Sequence, residues 1–366
     1  MTKTSEKKLL RPALIASEHT VCEYSILLGH LLVGLADQSI PAALVCPPDQ
    51  DVNSMVSPSV EVIRHPAFRL PLMRQQNRRL LVEKLQKFKP CVLHCLCQSE
   101  AALTKYLARQ LDLPYVLSVN SLQRQFGQLA VSSKHLAKII VPARSIAADI
   151  AKFYPEFTDR IEQINIGTFV RETSGCFSEP SRLVSMVTAG PLRDVSEFEN
   201  LICAVRHLAI DGYEFMLVVI GNGQAERQLR KLLSELGLLQ LVTIVPRLEP
   251  WRSVLAAGDI FIQSVANDAF NPLLLEAMSV GAAVAACKGG VDDLIIEGQT
   301  AVVFEPDNEL SIMNSLRGLL DRRESARQLA RKAQEYLREN HTVSNMITSI
   351  LQTYRDAQSG KTNPKQ

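Results

Sequence analysis

Asp268 and Glu276 lie eight positions apart in the stretch Asp268-Ala-Phe-Asn-Pro-Leu-Leu-Leu-Glu276-Ala-Met-Ser-Val-Gly281. Phe270 follows the first acid by two residues, and the second acid opens an apolar, small-residue run that ends at a glycine. That run reads as a short helix. A carboxylate at the start of a helix is kept ionised by the helix dipole. In that state it can accept hydrogen bonds from both vicinal hydroxyls of a ribose, as acids do in dinucleotide sites. The plainer alternative is an N-terminal acid that only stabilises its helix. Asp268 has a similar alternative, as a loop acid that accepts from nearby backbone amides.

A second phosphate-type signal lies in Leu217-Val-Val-Ile-Gly-Asn-Gly-Gln224, an apolar strand running through Gly221-Asn222-Gly223 into a helical pattern. Glycines let a backbone turn tightly and approach a ligand, and a helix N-terminus favours negative charge. The dehydrogenase fingerprint Gly-x-Gly-x-x-Gly is excluded, because Glu226 stands where the third glycine belongs. Cations near these segments are Arg193, Arg247 and Lys288, the last beside Gly289 and Gly290. Cys91, Cys95 and Cys97 surround His94, which raises zinc by residue type. The run Cys-Val-Leu-His-Cys-Leu-Cys reads instead as a buried strand, with His94 on the face opposite the cysteines.

Elements must hold these groups in place. A chain of 366 residues exceeds one ordinary core, so two domains are expected. Its 46% hydrophobic and 21% charged content are those of a soluble globular protein. A net charge of +2 gives no general polyanion field, and with 5% aromatics nucleic-acid binding is not expected. Short apolar runs alternate with helical patterns, the mark of a parallel sheet wound with helices. Strands are expected at 13–16, 42–46, 60–63, 92–95, 115–119 and 138–141, then at 182–188, 214–220, 242–245, 260–263, 283–286 and 301–304. Helices include 23–36, 74–88 and 99–111 in the first half, and 197–210, 225–236, 251–256, 273–279 and 309–320 in the second. The irregular stretch 167–180 reads as the interdomain linker. Residues 358–366 read as a disordered polar tail. The eight cysteines lie mostly in apolar runs and suggest reduced thiols. No signal peptide or membrane-spanning run is visible, so a cytoplasmic location is expected.

The pattern Asp268-x-Phe270 followed by Glu276-Ala-Met-x-x-Gly281 resembles the paired-acid motif of the GT-B glycosyltransferases, family 4 in particular. The resemblance covers roughly 182–304, with blocks in family order: Gly221-Asn222-Gly223, Pro246-Arg247, Ala256-Ala-Gly-Asp-Ile-Phe-Ile262, the acid pair, Lys288-Gly-Gly-Val291 and Gly298-Gln-Thr-Ala-Val-Val-Phe304. It implies an α/β chain of GT-B type, two doubly wound Rossmann-like domains facing across a cleft. The acceptor domain would span 1–172 and be joined by a C-terminal helix at 341–357, and the donor domain would span 180–340. It implies a retaining transfer of a hexosyl group from a nucleotide-sugar to a polysaccharide or lipid-linked acceptor. No metal or other cofactor would be needed. By this resemblance Glu276 grips the ribose and Asp268 sits beside the donor sugar. Phe270, Asn271 and the Gly221-Asn222-Gly223 turn approach the diphosphate, with Arg193, Arg247 and Lys288 as candidate cations.

Several family positions are altered. The first acid is usually Glu, so Asp268 is one methylene short. Asn271 replaces a glycine, and Pro272 lacks an amide donor. The usual Arg and Lys after the first strand of the donor domain become Pro191 and Ser196. Ala16-Ser-Glu-His-Thr-Val-Cys22 lacks the family's glycine loop, and Asn120 stands where a donor-contacting His is usual. His19 is the candidate substitute. The block Gln163-Ile-Asn-Ile-Gly-Thr168 resembles the turn that closes the family's N-terminal domain. These losses keep open a second reading, a catalytically degenerate GT-B protein that binds or scaffolds an active transferase.

One stretch stands out by charge. From Arg64 to Lys89 there are eight Lys/Arg and one acid, Glu83, interleaved with Leu80, Leu81, Leu85 and Phe88. A basic amphipathic helix at 74–89 suits an anionic membrane surface, or is simply a solvated basic face.

Overall fold

The computed structural model describes residues 10–67, 73–123, 130–179, 181–247 and 251–360, Trp251 by its backbone only. The N-terminal residues, Arg69 of the basic stretch, Pro180 and tail residues 361–366 lie outside the described residues. The chain forms two compact units, one of residues 1–167 with 343–366, the other of residues 168–342.

The first unit is built on β1 (Pro12–Ile15), β2 (Ala42–Cys46), β3 (Val60–Arg64), β4 (Val92–Cys95), β5 (Tyr115–Ser118), β6 (Leu136–Val141) and β7 (Ile161–Gln163). They form one parallel sheet in the order β3-β2-β1-β4-β5-β6-β7. Residues of β1, β2 and β4 are buried on both faces, as expected for a sheet covered by helices on both sides. Those helices are α1 (Glu18–Glu23), α2 (Ser25–Asp37), α3 (Arg74–Phe88), α4 (Ala101–Leu111) and α5 (Arg144–Phe153). The expected helix at 23–36 is thus two helices, because Tyr24 leaves helical geometry at φ −112° and ψ 25°. In α3 the apolar residues Leu81, Leu85 and Phe88 are buried within the unit. Its outward side carries charge rather than an apolar stripe.

The second unit holds β8 (Val184–Ala189), α6 (Ser196–Ile210), β9 (Phe215–Ile220), α7 (Glu226–Glu235), β10 (Val242–Val245), α8 (Trp251–Ala256) and β11 (Ile260–Gln263). It continues with α9 (Pro272–Val280), β12 (Ala283–Cys287), β13 (Val302–Phe304), α10 (Glu309–Asp321) and α11 (Arg323–Asn340). Its parallel sheet runs β10-β9-β8-β11-β12-β13. The stretch 168–179 is no free linker. Cys176 and Phe177 are buried in this unit's core, and Ser174 Oγ donates to the Gly281 carbonyl at 2.7 Å. The far end of the unit returns to the same place: Thr168 pairs with Thr342 in a parallel bridge, and the Thr168 amide donates to the His341 carbonyl at 2.8 Å. From there α12 (Val343–Ser359) packs against α2 and the strands β4, β5 and β6 of the first unit.

All eight cysteines are free thiols, half of them buried. His94 lies in β4 with both ring nitrogens engaged, Nδ1 2.6 Å from the Tyr354 hydroxyl and Nε2 2.8 Å from Ser118 Oγ. Burial pushes its pKa down to about 3. The unfolded chain therefore binds a proton on this imidazole that the folded protein refuses between pH 6.5 and about 3. The resulting stability is fully present above the higher value and is lost as pH falls toward the lower, by up to about 1.4 kcal/mol per pH unit. Urea unfolding from pH 7 to 4 should show a shallower acid limb in His94→Gln. An identical slope would refute this assignment.

Candidate active site

In the second unit the strand order reverses between β8 and β11. Doubly wound sheets bind ligands at that switch, outside the carboxyl ends of the strands. The loop after β8 carries Arg193, and the loop after β11 carries Asp268, Phe270 and Asn271.

The second loop feeds α9, whose start is set by two neighbours. Pro272 fills the first helical position, where its missing N–H costs nothing. Asn271 caps the helix, its Oδ1 accepting from the Leu273 amide at 3.0 Å and the Leu274 amide at 3.3 Å. The Leu275 amide donates to the Asn271 carbonyl at 3.3 Å. Every donor of the first turn is therefore spoken for within the chain. Asn271 Nδ2 also donates to Gln263 Oε1 at 2.9 Å, which fixes the cap against the end of β11. Phe270 is buried, and its ring serves the core.

Because α9 begins at Pro272, Glu276 is its fifth residue rather than an acid of the first turn, which corrects the sequence expectation. It is 1% exposed. Its Oε1 accepts from the Thr168 hydroxyl, and its Oε2 lies 3.0 Å from Arg252 Nη1. Arg252 also reaches the Phe169 carbonyl through Nη2, and Ser279 Oγ lies 3.4 Å from Glu276 Oε2. One carboxylate thus joins α9, α8 and the entry segment. Sequence reasoning missed Arg252 and Thr168. The first reads as a surface cation in the opening turn of α8, and nothing in the sequence pairs it with residue 276.

The glycine turn also has a local explanation. The Gly190 amide donates to Ile220 at 3.0 Å, the Leu192 amide to Asn222 at 3.1 Å and the Ala225 amide to Leu192 at 3.2 Å. A Cβ on Gly221 would lie 2.0 Å from the Gly190 carbonyl oxygen, and one on Gly223 would lie 2.0 Å from that of Leu192. Both glycines admit the close approach of the loop after β8. Asn222 stays exposed, and its Oδ1 is 3.4 Å from the Arg247 amide. On the other side, the Val291 amide donates to the Asn267 carbonyl at 2.6 Å, so the loop after Lys288 rests on the residue before Asp268.

The loops after β8, β9, β10, β11 and β12 therefore bring the donor-side candidates to the carboxyl edge of one sheet. Asp268 is half-buried, while Arg193 and Lys288 are exposed. The charge of Arg193 partly opposes the upward push that burial gives the Glu197 carboxyl. His19 and Asn120 belong to the first unit: His19 is exposed on α1, with its ring 5.4 Å from that of Tyr24, and Asn120 follows β5 and is half-buried. Among the described residues no group of three or more His, Cys, Asp or Glu is placed to hold a metal ion.

Two doubly wound units with this connectivity define a GT-B fold. Residues 179–336, within the second unit, match the family model described as "Glycosyl transferases group 1". The chain is similar to the glycosyltransferase of Rickettsia africae, with a TM-score of 0.78, 14% identity and coverage of 97% of this chain and 100% of that one. It is equally similar to Anabaena HepE, solved with UDP and glucose, at TM-score 0.78 and 14% identity over 94% of this chain and 99% of that one. A curated relative is the sulfoquinovosyl transferase SQD2 of Arabidopsis thaliana, 23% identical over 73% of this chain. The chain spans 57% of that relative's length.

Proposed function

We propose that the protein is a retaining, metal-independent glycosyltransferase that takes a hexosyl group from a nucleotide-sugar. The acceptor is a polysaccharide or lipid-linked glycan. The observation that carries this reading is the placement of Asp268 and α9 at the switch point of the second unit, inside the segment that matches the family. In this reading Asp268 contacts the donor sugar. Arg193 and Lys288 offset the diphosphate charge, the main electrostatic task of such a transfer. Glu276 receives the ribose hydroxyls once Thr168 yields its place, with Arg252 retained as counter-ion. A uridine diphosphate sugar is the first donor to test, since HepE was solved with UDP.

A second reading draws on the same site. The first-turn amides of α9 are all used internally, and both oxygens of Glu276 are engaged. A site so fully satisfied fits a non-catalytic GT-B protein that partners an active transferase.

Thermal unfolding against UDP, GDP and ADP separates the two. A nucleotide at one hundred times its Kd should stabilise the wild type by about 2.7 kcal/mol. Glu276→Gln should lose most of that shift. Asp268→Asn should keep the shift and lose donor turnover. If no nucleotide stabilises the wild type, the transferase reading fails and the non-catalytic one stands.

A further inference from the structure

Within the first unit, the carboxyl ends of β4, β5 and β6 meet α2 and α12 around a cavity of about 80 Å³ that opens to solvent. Its wall is mostly aliphatic, with Leu28 and Leu31 from α2, Ile140 from β6, Met346 from α12, and Leu96 and Ile166 from loops. No Asp, Glu, Lys or Arg lines it. The polar lining is Thr20, His94, Ser118 and Asn120, and Tyr24 also borders the space. His94 is held neutral, and its two nitrogens are committed to Tyr354 and Ser118. The wall therefore offers no charge to an ionic ligand and few free hydrogen bonds to a sugar.

Natural cores leave few voids larger than a water molecule, and an unfilled apolar space is destabilising. An enclosed apolar cavity of ~150 Å³ stays dry and binds benzene, and the aliphatic part of this cavity's wall offers hydrocarbon contacts of the same kind. This one sits at the strand ends where doubly wound sheets hold ligands, and its make-up is that of a ligand site: an apolar wall with a few placed polar groups. Its size suits the end of a chain rather than a whole lipid.

We propose that this cavity binds the terminal segment of an uncharged aliphatic chain, the tail of an amphiphile whose polar head stays in solvent. The inference stands apart from the transferase reading, because it needs no nucleotide and no turnover.

Octyl β-D-glucoside below its micellar concentration is the probe, with glucose as its tail-less control. Calorimetric titration of the full chain should show saturable binding of the octyl glucoside and none of glucose. Leu27→Trp, at a half-buried wall position, and Ile166→Phe should each fill part of the space. Excluding about two methylenes should weaken binding about tenfold. Leu310→Ser removes an exposed apolar side chain from the second unit and should leave binding unchanged. Circular dichroism melts establish which variants are folded, and either wall variant suffices. Non-saturable binding, or unchanged affinity in a folded wall variant, would overturn the proposal. So would an equal loss in Leu310→Ser, which would mean general detergent adsorption. UDP stabilisation run on the same samples keeps the two readings separate, since a cavity that fails the test leaves the nucleotide response untouched.

Discussion

Arg252→Ala is expected to destabilise the second unit by about 3–5 kcal/mol, the range for removing one partner of a buried ion pair. Glu276 is 1% exposed, so its carboxylate cannot recover by hydration when the guanidinium is gone. The pair is asymmetric, with Arg252 at 35% side-chain exposure, which places the effect toward the lower end of that range. The loss should extend beyond the pair. Arg252 also holds the Phe169 carbonyl, and Thr168 shares the same carboxylate, so the entry segment should become more open to hydrogen exchange. Glu276→Gln combined with Arg252→Met should recover much of the stability, because the amide can still accept from Thr168 and no charge is left unpaired. The check is chemical denaturation of the wild type, Arg252→Ala, Arg252→Met, Glu276→Gln and the Glu276→Gln/Arg252→Met double variant. If Arg252→Ala costs no more than an ordinary surface substitution, about 0.5 kcal/mol, Glu276 is not held by this pair.

Gly290→Ala is the second large effect. Gly290 has φ +67°, and a Cβ there would lie 2.1 Å from the Asn267 carbonyl oxygen. The conformation alone costs roughly 1–2 kcal/mol for a residue with a side chain. The clash is with backbone, so the loop bearing Asn267 must move, and Asp268 is the next residue. A displacement of about 1 Å at a reacting group can cost about 10²-fold in rate. The expected result is a cooperative but less stable protein whose donor turnover falls by about 10²-fold. Gly212→Ala is the control, since its φ is +85° but nothing lies within 4 Å of the added atom. It should show the strain without the loss of turnover. Equal turnover in the two variants would separate Asp268 from the chemistry.

The centres of the wound sheets were legible because β1, β2, β4, β11 and β12 are buried on both faces and read as mostly apolar runs. The miss at β7 has the same cause in reverse. Ile161–Gln163 is a three-residue edge strand of half-buried and exposed side chains, and it carries no apolar run to read. The acid pair could be found from spacing, and the structure places both acids on the segment after β11. What spacing could not reveal was occupancy. Asn271 reads as a lost glycine, yet its side chain supplies the acceptor that closes the helix start. Glu276 reads as a waiting carboxylate, yet residues 24 and 108 positions away already use it. Such contacts are tertiary, and one chain without its fold gives no register for them. The glycine turn likewise reads as a ligand approach, while a neighbouring loop occupies the space the missing side chains leave.

The bridge between Thr168 and Thr342 has a consequence for how the gene could be cut and rejoined. The second unit begins and ends at one spot, so in topological terms it is a cassette spliced into the first. Units whose ends meet tolerate excision and circular permutation best. A short loop between residues 167 and 343 could close the remaining chain. The excised piece, with its own sheet and core, has the anatomy of a freestanding domain that can be transplanted between hosts.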